Sequence, residues 1–185
     1  MAREVDIAAL GELLIDFTEA GYSKDGMKLF EQNPGGAPAN LLTVASHMGY
    51  KTAFIGKVGE DFFGEQLRDA ITEVGIDADG LCTDKEIHTT LAMVHTYPDG
   101  DRDFSFYRNP GADMKLNKEE ICEDIIKETK IFHFGTLSMT HEEVREATKE
   151  AIRIAEESGA VISFDPNLRP PLWNSLDEAK EQVLY

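Results

Sequence analysis

The stretch Asn33-Pro34-Gly35-Gly36-Ala37-Pro38-Ala39-Asn40 runs straight into an apolar series at helical spacing, Leu41, Val44, Ala45 and Met48, which Gly49 closes. Paired glycines permit a tight backbone and a close approach by a ligand. The free amides of a helix start bind oxygen-rich groups well. Asn40, one turn in, both donates and accepts hydrogen bonds, which suits a hydroxyl group. Residues 51–58 then read as a buried strand, so the unit is loop, helix, strand. Taken alone, the glycines are equally compatible with a plain loop into a helix.

The same alternation extends in both directions. Upstream, residues 5–10 form a short apolar run ending at Gly11, as a buried strand does. Downstream, residues 61–74 read as a helix stopped by Gly75, and residues 131–134 as a strand. Thr140 with Glu143 makes a capping box ahead of a helix to Ser158, residues 160–164 make another strand, and Ser175 with Glu178 opens a last helix. This order predicts an α/β fold with a mainly parallel sheet, helices on both faces and right-handed crossovers. Two stretches break the pattern. Residues 17–32 are polar, with turn signals at Gly21 and Asp25-Gly26. Residues 89–108 read as a hairpin: Leu91, Met93, His95 and Tyr97 alternate, Pro98-Asp99-Gly100 turns, and Phe104, Phe106 and Arg108 alternate back. A hairpin has no place inside a βαβ core, so a small separate sheet is expected.

Bulk properties narrow the function classes. The length of 185 residues and a hydrophobic content of 42% fit one globular domain. Eighteen basic against 35 acidic residues give a net charge of −17, which argues against nucleic acid and anionic membrane as partners. The acidic residues are spread along the helices and read as a solubilising surface, with a salt-adapted source as the alternative. Cys82 and Cys122 belong to no Cys-x-x-Cys pair and read as buried thiols in a reducing compartment. The five histidines show no metal-ligand spacing. No run of about 18 apolar residues occurs, and the start Met1-Ala2-Arg3-Glu4-Val5-Asp6 does not read as a signal peptide, so a cytoplasmic location is expected. Met27, Met48 and Met93 read as packing residues, and Trp173 as a loop anchor.

Five blocks in order resemble the ribokinase-type (PfkB) carbohydrate kinases. Gly11-Glu12-Leu13-Leu14-Ile15-Asp16-Phe17 resembles the opening strand and its sugar-binding aspartate. Gly35-Gly36 with Asn40, Gly49 and Gly59 resembles the first family signature, with Leu42 departing from its usual small residue. Gly56-Lys57-Val58-Gly59-Glu60-Asp61-Phe62-Phe63-Gly64 resembles the next block. Phe104 to Arg108, with Gly111-Ala112-Asp113, resembles the lid strand of fructokinases and ketodeoxygluconate kinases. Phe164-Asp165-Pro166-Asn167-Leu168-Arg169 resembles the segment at the end of a core strand.

The resemblance implies a three-layer α/β/α fold with a small β lid from about residues 17–32 and 89–108. It implies ATP-dependent phosphorylation of a sugar hydroxyl with Mg²⁺, fructose first. 2-Keto-3-deoxygluconate comes second, because Arg108 and Arg169 are suited to its carboxylate, and a nucleoside third. Asp16, Gly35, Gly36 and Asn40 are expected to bind the sugar, Phe104 and Phe106 to cover it, and Arg108, on their face by alternation, to meet a carboxylate or the moving phosphate. Asp165, Asn167 and Arg169 are expected near the phosphates, their metal and the accepting end of the sugar. A homodimer through the lid is also implied. The family's Gly-Ala-Gly-Asp segment does not occur in the 185 residues, and its Asn-x-x-Glu metal-associated motif is expected further on. The chain is therefore expected to be the N-terminal, sugar-binding part of a kinase and to be inactive alone. A non-catalytic sugar-binding or dimerisation module is the alternative of another class.

Overall fold

The tertiary structure, a computed structural model, describes residues 4–97, 99 and 101–184. Pro98 and Gly100 of the expected hairpin turn lie outside the described residues, as do Met1, Ala2, Arg3 and Tyr185.

Strand β1 (Val5–Leu10) leads into β2 (Leu14–Tyr22) and β3 (Lys28–Gly35), then helix α1 (Ala37–His47) and β4 (Thr52–Gly59). Helix α2 (Phe62–Glu73), β5 (Ile76–Asp84) and the hairpin β6 (Leu91–Thr96) and β7 (Arg102–Tyr107) follow. The chain continues through α3 (Glu123–Glu128), β8 (Thr129–Gly135), α4 (Glu142–Glu157), β9 (Val161–Asp165) and α5 (Leu176–Val183). Five strands form a parallel sheet in the order β5-β4-β1-β8-β9. Because side chains alternate across a strand, each central strand feeds two cores. Ala8 and Leu10 of β1, with Ala53 and Ile55 of β4, pack with α3 and α4 on one face. Ala9, Phe54 and Val58 pack with α1 and α2 on the other.

The second sheet has the order β3-β2-β6-β7; β2 and β6 run parallel, while β2–β3 and β6–β7 are antiparallel. The expected polar excursion at residues 17–32 is thus a β-hairpin spanning Leu14 to Gly35. Its strands lack an apolar run because only their base is buried, and both β2 and β3 become exposed toward the turn.

Four further readings are corrected or completed. Strand β5 was not legible: its sequence IDADGLCTD interrupts the apolar series with acidic residues, which an edge strand paired only with β4 tolerates. The Thr140–Glu143 capping box does not form. His141 is the N-cap of α4, and the Thr140 hydroxyl instead donates to the Leu137 carbonyl and accepts from Arg108. Met27 and Met48 are surface residues, 68% and 69% exposed, and Cys82 and Cys122 are only partly buried. Ser175 does cap α5, accepting from the Glu178 amide, and Trp173 is buried against Met139 and Ala179.

Candidate functional site

The two sheets meet at the connection from β1 to β2. Leu10 ends in the parallel sheet, where Gly11 still donates to the Ile55 carbonyl at 3.1 Å. Three residues later the chain is in the small sheet, so Asp16 lies within β2 and not at the exit of a core strand, as expected from sequence. There it pairs with Asn33 of β3 and Ala92 of β6. Asp16 is half-buried; burial raises its carboxyl pKa and the nearby Arg169 charge opposes that rise.

The glycine pair lies directly against this strand. A side chain on Gly35 would collide with the Asp16 carboxylate. Gly36 holds φ at +116°, in the region that favours glycine, and a side chain there would strike the Glu12 carbonyl. Gly36 is also the N-cap residue of α1 and has no side chain to offer the free amides. One of those amides, at Ala37, donates to Glu12 Oε1 at 2.8 Å. Asn40, exposed one turn further on, lies on the same end of the helix.

A cavity of about 380 Å³ opens between the two sheets. Asp16, Gly36 and Asn40 line it on one side, and Phe104 and Phe106 of β7 on the other. The two rings stack with centroids 6.0 Å apart. Asn167 and Arg169, from the turn after β9, complete the wall. Gly35 acts from behind by giving Asp16 its room. Asp165 is exposed and lies off this cavity, on an adjoining gap of about 10 Å³ with Glu12 and His133. Its Oδ1 accepts from the Asn167 amide at 3.0 Å, and this turn puts Asn167 at φ +30°, a conformation asparagine tolerates.

Arg108 departs from expectation. It follows the end of β7 and turns into the protein, with its side chain 2% exposed. Its guanidinium pairs with Asp113 at 2.7 Å and donates to the Thr140 hydroxyl at 2.9 Å and the Leu137 carbonyl at 3.1 Å. Every arm of the fork is engaged, so strand alternation ended one residue too early to carry Arg108 onto the face of the phenylalanines.

Sequence reasoning missed Glu12, Thr18, Asn33 and Thr96, all of which line the cavity. Thr18 and Asn33 were findable once β2 and β3 were known as strands, since they share a face with Asp16. Glu12 carried its own signal: one carboxylate in the run Ala8-Ala9-Leu10-Gly11-Glu12-Leu13-Leu14-Ile15. It is only 4% exposed, and burial pushes its pKa up to about 7.

Among the described residues, no group of three or more His, Cys, Asp and Glu side chains is placed to hold a metal ion. No helix among them is long and apolar enough to cross a membrane.

Residues 5–184 match the family described as pfkB family carbohydrate kinase. The chain is 45% identical over 179 residues to fructokinase-2 of Solanum habrochaites, an alignment covering 96% of this chain and 55% of that protein. The crystal structure of fructokinase with bound ATP from Xylella fastidiosa superposes with a TM-score of 0.88 at 36% identity, covering 99% of this chain and 59% of that one. An uncharacterized sugar kinase from Pyrococcus horikoshii superposes with a TM-score of 0.85 at 34% identity, covering 96% and 57%. The chain thus spans a little over half the length of the proteins it resembles.

Proposed function

The chain belongs to the pfkB family of carbohydrate kinases, and on that premise we propose that the protein phosphorylates a sugar hydroxyl with ATP, converting fructose to fructose 6-phosphate. The observation that carries this reading is the convergence of Asp16, the α1 N-terminus and Asn40 on one cavity roofed by Phe104 and Phe106. A carboxylate accepts hydrogen bonds from two adjacent hydroxyls, helix amides attract oxygen, and Asn40 serves a third hydroxyl in either direction. The stacked phenylalanines cover an apolar sugar face and keep water from the acceptor, so the small sheet acts as a lid.

ATP with Mg²⁺ supplies the phosphoryl group and offsets its charge. Asn167 and Arg169 fit contacts to the phosphates, and Asp165 is the one carboxylate on that turn. The catalytic base belongs, in this reading, to the Gly-Ala-Gly-Asp segment that the 185 residues do not contain. Residues 1–185 supply the sugar-binding part, and the outward-facing Tyr107, 64% exposed on the lid, suits a lid-to-lid dimer.

Arg169 favours 2-keto-3-deoxygluconate as the second reading. Its guanidinium lines the cavity, and its hydrogen bonds run to the neighbouring carbonyls of Asn167 and Leu168, not to a carboxylate. The test is a substrate panel on the full-length enzyme with ATP, alongside Asp16→Ala. Fructose is expected to be the best acceptor, and the variant is expected to lose sugar binding with an unchanged circular dichroism spectrum. Unaltered affinity in Asp16→Ala would remove the basis of the assignment, and preference for the keto acid would replace fructose.

A further inference from the structure

Among the described residues that line the cavity, Glu12 is the buried carboxylate, and it meets the glycine turn twice. Its main-chain carbonyl packs against Gly36, leaving no room for a side chain there. Its carboxylate accepts the Ala37 amide at 2.8 Å. The first turn of α1 contains no acidic residue, so Glu12 supplies the negative charge that a helix N-terminus otherwise lacks. Glu12 reaches across from the β1–β2 connection, and so couples the strand that carries Asp16 to the helix that carries Asn40.

We propose that Glu12 is a positioning residue for the sugar site, holding the Gly36–Ala37 peptide in the orientation that binds a polyol, and that it does so as the carboxylate. The proposal rests on the sugar-binding reading of the cavity.

The charges around Glu12 leave it without a cation of its own. Arg108 lies near but is paired with Asp113, whose charge acts on Glu12 in the opposite sense. Arg169 and Asp16 stand along the main cavity, and His133 of β8 and Asp165 of β9 along the adjoining gap. His133 is itself held below its ordinary pKa by burial. Burial is therefore the main influence on Glu12 and brings its titration close to neutrality, with the Ala37 hydrogen bond working against it. Protonation removes the charge-assisted bond to Ala37 and loosens the turn.

The experiment is fructose binding by calorimetry, without nucleotide, to the full-length protein across pH about 6 to about 8. For a group titrating near 7, the ionised fraction rises about tenfold over this range, and affinity should rise with it. In Glu12→Gln, which keeps an acceptor for Ala37 but has no titrating proton, affinity should be flat. A Gln variant that retains the wild-type slope overturns the proposal and assigns the slope to Asp16 or another group. Ala37→Pro, which removes the donor at a helix position that accepts proline, should weaken binding at every pH; unchanged affinity in this variant also overturns the proposal.

A second readout needs no sugar. The folded state holds the Glu12 proton more tightly than the unfolded chain does, so the stability this gives at acid pH is lost as pH rises through about 7. The wild-type Tm should fall across that range more steeply than that of Glu12→Gln. Should the wild type bind no fructose at any pH, the sugar assignment fails, and the Tm comparison still decides whether Glu12 titrates as proposed; parallel Tm profiles would sink it.

Discussion

The guanidinium carbon of Arg169 lies 5.5 Å from the centroid of the Phe104 ring, joining the turn after β9 to the last strand of the small sheet at the cavity both line. A cation over an aromatic face contributes about 0.5–2 kcal/mol, depending on how far it is desolvated. This contact ties the small sheet to the parallel sheet at the place where a substrate would sit. Phe104→Ala is expected to raise the fructose KM about tenfold, with a small change in Tm, because a surface lid contact and not a core ring is removed. Steady-state kinetics of the full-length enzyme with a thermal melt would check it.

Gly35→Ala should act on the sugar without touching it. The added methyl displaces the Asp16 carboxylate, and a displacement on the order of 1 Å costs on the order of 100-fold when orientation is the contribution. Gly36→Ala meets a positive φ and the Glu12 carbonyl together, and should lower stability by about 1–3 kcal/mol. Chemical denaturation and fructose calorimetry on the two variants separate the effects: the first variant should lose mainly affinity, the second both.

Arg108 is predicted to be a stability residue. Arg108→Ala leaves the Asp113 carboxylate buried without its cation, with the Thr90 hydroxyl as its remaining donor, and Thr140 without the guanidinium donor, and should cost about 3–5 kcal/mol. Lysine should not rescue it, because three differently directed acceptors need a planar fork. Any soluble Arg108→Lys protein should bind fructose with nearly wild-type affinity but melt earlier. A large affinity loss with unchanged Tm would return Arg108 to the substrate.

Asp61 should contribute to the acid limb of stability. Burial would raise its pKa, but the Thr89 and Gly64 amides, the Thr89 hydroxyl and His88 outweigh burial and hold it below the ordinary value. A depressed carboxylate contributes stability that is fully present above its unfolded value and is lost as pH falls through the folded one. Acid unfolding of Asp61→Asn should therefore begin from a lower Tm near neutrality and converge on the wild type at low pH. Parallel melting curves down to acid pH would contradict this.

The fold was largely legible because its signals are local. Leu41, Val44, Ala45 and Met48 report a helix by spacing alone, and Phe104 with Phe106 report a strand face by alternation. Strand β5 and the β2–β3 hairpin were not legible, since their positions in the sheets, at an edge or with one half in solvent, permit acidic and polar residues that apolar patterning cannot detect.

By itself the sequence determined the α/β class, much of the order of the elements, the glycine pair as a place of close approach, and part of the cavity lining, namely Asp16, Gly36, Asn40, Phe104, Phe106, Asn167 and Arg169. Tertiary structure alone decided that Glu12 faces Ala37 and not solvent, that Arg108 is engaged by Asp113 and Thr140, and that Phe104 meets Arg169. The reason is physical. Periodicity encodes which way a side chain points relative to its own strand or helix, whereas these contacts depend on how two sheets are set against each other where the chain crosses between them at Gly11 to Leu13.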